Sequence, residues 1–96
     1  AFAPAHHSAP GPSTAVLAVL PGRALGLRRR AEDAPAWARR RAARAGRQAI
    51  AVTYTDPFSF AGTLAALGEA VVVLKPTDLR QAVLAHLRGA AALGWD

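Results

Sequence analysis

The chain has 96 residues and no cysteine, which points to a single domain and excludes disulfides and cysteine-based zinc sites. Its net charge of +6 comes from eleven arginines and one lysine against six acidic residues, so a partner bearing phosphate is one reading and an arginine-rich coding bias is the other. The longest apolar run, Ala15 to Leu20, is far too short to span a bilayer and no signal-peptide pattern precedes it, so a cytoplasmic protein is expected.

Residues 1–14, AFAPAHHSAPGPST, lack an apolar period and read as a flexible linker, leaving 15–96 as the domain. His6 and His7 stand there without further metal ligands nearby. Ala15 to Leu20 is a buried strand closed by the turn signal Pro21-Gly22. In RALGLRRRA, Ala24, Leu27, Arg28 and Ala31 fall at helical spacing, and Leu25 and Leu27 both need cover. Residues 32–48 resist reading. Ala36 to Ala45 has high helix propensity and Gly46 fits a helix end, yet the apolar face offers Trp37 and little else. A basic loop or a poorly marked strand fits as well.

From Gln48 onward the pattern sharpens. In AIAVTYT, Ile50, Val52 and Tyr54 face one way and Ala51, Thr53 and Thr55 the other, as in a half-buried strand. Asp56-Pro57 starts a helix, with the carboxylate accepting from orphan N–H groups and proline at the first helical position. Phe60, Ala61, Leu64 and Leu67 share a face of it, and Gly68 ends it. Val71 to Leu74 is apolar on both faces, as in a central strand or at an interface. Asp78 opens a last helix whose stripe is Leu79, Val83, Leu87 and Ala90, with Gly94 closing it. The expected core includes Leu64, Val72, Leu74, Leu79 and Val83. Twenty-five residues are alanine, so the larger apolar side chains must supply most of it. The order of elements predicts an α+β fold: a ferredoxin-like sandwich with a small antiparallel sheet and helices on one face.

The stretches AVLAVLPGRALGLRRRA and AVTYTDPFSFAGTLAALGEAVVVLKPTDLRQAVLAHLRGA resemble the C-terminal extension (WCX domain) of WYL-domain transcription regulators, proteasome accessory factor B/C type. Asp56-Pro57, Phe60, Gly68, Val71 to Leu74, Pro76 and Leu79-Arg80 carry the resemblance, over about residues 15–93. Lys75, Thr77 and residues 32–48 depart from it. The resemblance implies a ferredoxin-like domain following a WYL barrel and a winged helix-turn-helix. Such regulators respond to DNA damage or other signals, and some sense single-stranded DNA. The implied partners are a homodimer or paralogous copy, the WYL domain of the same chain, and single-stranded DNA; no membrane and no cofactor are implied. The chain contains no methionine even at position 1, so a piece of a longer protein is expected.

No enzyme constellation emerges. Ser59 lacks a nucleophile-elbow or Ser-x-x-Lys context, GRALG lacks the Lys-Ser/Thr of a P-loop, and Asp56 and Asp78 read as helix caps. His86 lies beside the apolar stripe of the last helix and reads as structural. The binding candidates are basic. Between Arg23 and Arg47 nine arginines face Glu32 and Asp33, a local net of +7. Arg28, Arg29 and Arg30 end a helix, where they either complement its dipole or meet a ligand, and at most two of them share a face. Arg39, Arg40, Arg41, Arg44 and Arg47 fit a groove tracking a single strand, with Trp37 and Tyr54 as nearby aromatics for stacking. Val71 and Val73 point opposite to Val72 and Leu74 and are the candidate interface pair. Three functions fit: an accessory module of a regulator that dimerises or helps form an effector site, a stand-alone basic nucleic-acid-binding domain, and a small-molecule-sensing domain.

Overall fold

The computed structural model describes residues 11–92, the last three by their backbone alone. The linker expected at 1–14, with His6 and His7, falls mostly outside these residues, as does Gly94. Strand β1 (Ser13–Val19) is buried without a break from Ala15 to Val19, because both of its faces are covered. Strand β3 (Gln48–Tyr54) lies antiparallel to it, with Leu17 opposite Ile50 and Ala15 opposite Val52. Strand β4 (Val71–Lys75) runs antiparallel along the other side of β1, with Leu17 opposite Val73 and Val19 opposite Val71. A two-residue strand, β2 (Glu32–Asp33), pairs with β3 at Ala51 and Ile50. The order β2-β3-β1-β4 is that of the ferredoxin-like sandwich, an antiparallel sheet with β2 and β4 at its edges.

Three helices cover the first face. Helix α1 (Leu25–Arg29) follows the Pro21-Gly22 turn and buries Leu27 alone, so Leu25 stands out 61% exposed rather than covered. Helix α3 (Pro57–Ala66) begins as its sequence dictates: Asp56 Oδ1 accepts from the N–H groups of Phe58 and Ser59 at 3.1 and 3.3 Å. It buries Phe60, Ala61 and Leu64. Gly68, at φ +58°, turns the chain through a short 3-10 segment into β4. Helix α4 (Thr77–Ala92) buries Leu79, while Val83 is half-buried against the core and Leu87 is 44% exposed. Of Leu79, Val83 and Leu87 in the stripe expected on α4, only Leu79 at its start is therefore fully buried.

The segment 32–48 also folds. Helix α2 (Ala36–Arg44) ends in a Schellman motif: Arg47 N–H donates to the Ala42 carbonyl at 2.8 Å and Gly46 N–H to that of Ala43 at 3.0 Å. Gly46 takes φ +72°, which its lack of a Cβ permits. The helix packs on the second face of the sheet through Ala38, in a small cluster with Val16 and Ala34 backed by Ala49 and Leu74. The apolar face is thus made of alanines at a four-residue spacing, not of Trp37.

The register of β4 corrects the expected faces. Leu17 and Val19 point into the main core, so their partners Val73 and Val71 do too, at 5% and 8% exposure. Val72 lies on the second face and is 39% exposed, with Leu74 half-buried beside α2. The core therefore holds Val71 and Val73, and the outward pair is Val72 and Leu74.

Candidate functional site

Four of the arginines donate to backbone carbonyls. On α1, Arg28 donates through Nε to the Arg23 carbonyl at 2.8 Å and through an Nη to that of Leu20 at 2.9 Å, closing the turn after β1. Arg30 donates to the Thr53 carbonyl on β3 at 2.8 Å, and its guanidinium lies 5.9 Å from the centre of the Phe60 ring. On α2, Arg39 donates to the Ala34 carbonyl at 2.6 Å. Arg47 reaches the Ala18 carbonyl at 3.4 Å. Arg29, Arg40, Arg41 and Arg44 are exposed, as are Arg30 and Arg39 beside their hydrogen bonds.

The expected line of five arginines is thus not one groove. Arg28, Arg39 and Arg47 meet with Gln48, Ala49 and Ile50 around a cleft at the end of the sheet. Arg40, Arg41 and Arg44 lie on the solvent side of α2. Tyr54 is 8% exposed and stacks on Phe60, with ring centres 4.9 Å apart and planes 13° from parallel. It is committed to the core and not offered to a base. Burial, and secondarily the Asp78 carboxylate, push its phenol above the ordinary value of 10.0, against a smaller opposing effect of a hydrogen bond with Ser13. Trp37, 38% exposed on α2, is the aromatic left for stacking.

Asp56 and Asp78 stand at the starts of helices, and His86 lies on α4. Asp56 caps α3, and Asp78 Oδ1 accepts from Leu79 N–H at 2.9 Å in the first turn of α4. His86 packs beside Phe58, ring centres 4.9 Å apart, and its Nε2 is buried without a hydrogen-bond partner. A Cβ added at Gly62 would sit 3.4 Å from its ring, an ordinary van der Waals contact. Among the described residues no group of three His, Cys, Asp or Glu could hold a metal, and no helix is long and apolar enough to cross a membrane.

A second surface lies at β4, the strand from which the sequence offers Val71 and Val73 as an interface pair, although those two side chains are themselves buried. Strand β4 forms an edge of the sheet, and its outer side lies beside α4. A cleft of about 190 Å³ there is lined by Val71, Val72 and Val73 from β4 and by Val83, Leu84 and Leu87 from α4, with Arg80 at its margin. An edge strand offers unpaired N–H and C=O groups, and here the side chains around them are apolar. The signal was present in the VVVL run, but its length alone does not separate a central strand from an edge strand facing a partner.

The family model for the WCX domain matches residues 12–91. The chain belongs to the WCX-domain family. Among solved structures this WCX domain is similar to proteasome accessory factor B/C (PafBC) of Arthrobacter aurescens, with a TM-score of 0.69 and 32% identity. That likeness covers 85% of this chain and 12% of the other, so the WCX domain spans a small part of that protein's length. A comparison with curated proteins gives no match.

Proposed function

We propose that this WCX domain is the C-terminal accessory module of a WYL-type DNA-binding transcriptional regulator, working in the cytoplasm, and that its contribution is assembly. It seats against another domain of the regulator, either the WYL domain of its own chain or a symmetric or paralogous copy, and so holds the DNA-reading parts in register. The observation that carries this reading is the β4 edge with its apolar groove, in a fold whose main core is already closed by α1, α3 and α4. The likeness to PafBC supports the setting. The test is removal of residues 12–92 from the regulator, followed by light scattering and promoter titration. Loss of the paired mass or of promoter affinity supports the assembly role; both unchanged would end it.

A second reading, sensing of a single-stranded nucleic acid, is favoured by the exposed Arg40, Arg41 and Arg44 on α2 near Trp37. Replacing them by alanine should then flatten the salt dependence of single-strand binding, by up to ~0.7 in log–log slope for each phosphate no longer neutralised. An unchanged slope assigns them to solvent.

A further inference from the structure

The cleft at the end of the sheet is lined by three arginines from three separate elements. Arg28 comes from α1, Arg39 from α2, and Arg47 from the turn into β3. With Gln48, Ala49 and Ile50 they line a space of about 420 Å³. No carboxylate is among these lining residues; Glu32 and Asp33, on the neighbouring β2, are exposed.

Like charges gathered in one concavity repel, and an arginine cannot relieve this by losing its proton. Surface arginines free to move would spread into water. These three are held instead. Arg28 is tied to the carbonyls of Arg23 and Leu20, Arg39 to that of Ala34, and Arg47 to that of Ala18. Those bonds neutralise no charge. They use only part of each fork, which carries five N–H donors. The remaining donors are therefore positioned before any ligand arrives, and less side-chain entropy is lost on binding. The Gln48 amide can add a further donor. A set of fixed cationic forks with no carboxylate beside them among the described residues suits a compact anion with several acceptor oxygens.

We propose that this cleft binds a phosphoryl group, carried either by a small polyphosphate or by a nucleic-acid strand. The site is separate from the β4 groove and depends on neither functional reading above, since a small polyphosphate alone would satisfy it.

Isothermal titration calorimetry of the chain with inorganic pyrophosphate, and separately with a short oligothymidine, tests it. Arg39→Gln and Arg47→Gln should each weaken binding by about tenfold or more, the effect of losing a charge-assisted hydrogen bond. Arg88→Gln, on the exposed side of α4 and away from this cleft, should change it by less than about twofold, as screened surface charges do. Pyrophosphate binding with this pattern names a small-molecule source; the same pattern with the oligonucleotide alone names a strand. If neither probe binds, or Arg88→Gln loses as much affinity as Arg39→Gln and Arg47→Gln, the site is refuted. Should a glutamine variant unfold, Arg39→Lys and Arg47→Lys keep the charge but lose the bidentate fork, and must still weaken binding. Unchanged affinity in them also refutes it.

Discussion

The two faces of one sheet are built from alternate residues of the same strands, yet they do different work. On the first face Leu17, Val19, Val52, Val71 and Val73 meet Phe60, Leu64 and Leu79 in a continuous core. On the second, Val16 meets Ala34 and Ala38, with Ala49 and Leu74 at the margin. Burying a leucine or valine side chain contributes roughly 1.5–3 kcal/mol, and an alanine methyl far less. The first face therefore carries the stability. The second has room for one helix set close to the strands, and that helix brings its arginines outward and leaves Val72 bare. Large side chains define the fold, and small ones leave surface for something else.

Substitution on each face separates the two roles. The largest effect belongs to the first face: Leu64→Ala, at 1% exposure, should cost ~2–4 kcal/mol, read as a lower denaturant midpoint. An unchanged midpoint would contradict the packing. On the second face the sensitive direction is reversed. Ala38 is fully buried, and Ala38→Leu should push α2 away from β1 at a cost of ~1–3 kcal/mol by the same denaturation measurement. If it were neutral or stabilising, α2 would not be seated closely. A smaller loss, ~1 kcal/mol, is expected from Asp56→Ala, because the N–H groups of Phe58 and Ser59 lose their acceptor. Thermal unfolding followed by circular dichroism would measure it. Smallest of all, Val72→Lys should change the stability of the isolated chain by less than ~0.5 kcal/mol, since that side chain is already 39% exposed. A large loss there would place Val72 in the core after all.

The same contrast explains which elements could be read from the sequence. Asp56-Pro57, the alternation of Ile50, Val52 and Tyr54, and the stripe Phe60–Leu64 are carried by large apolar residues and a strong cap, and each is found where it was expected. Helix α2 matches the helix reading of Ala36 to Ala45 with Gly46 at its end, but a loop or strand fitted as well, because its buried side is Ala38 and Ala42 and alanine is too common in this chain to mark a face. The β4 faces were inverted because four consecutive apolar residues carry no alternation; only the pairing with Leu17 and Val19 decides them. The arginines were legible as a basic segment but not as a site. Which of them converge depends on Arg28 and Arg47, nineteen positions apart, being brought together at the end of the sheet. The resemblance in VVVLKPTDLR indicated the family, since it rests on residue identity and not on periodicity.

Hydrogen–deuterium exchange along β4 is the most direct test of the assembly role. In the isolated chain the amides of residues 71–75 that point away from β1 have no strand beside them among the described residues and should exchange quickly. In the intact regulator the same amides should exchange markedly more slowly, because a partner domain covers the edge and its groove. Equal exchange rates at β4 in the isolated domain and the intact regulator would contradict the account.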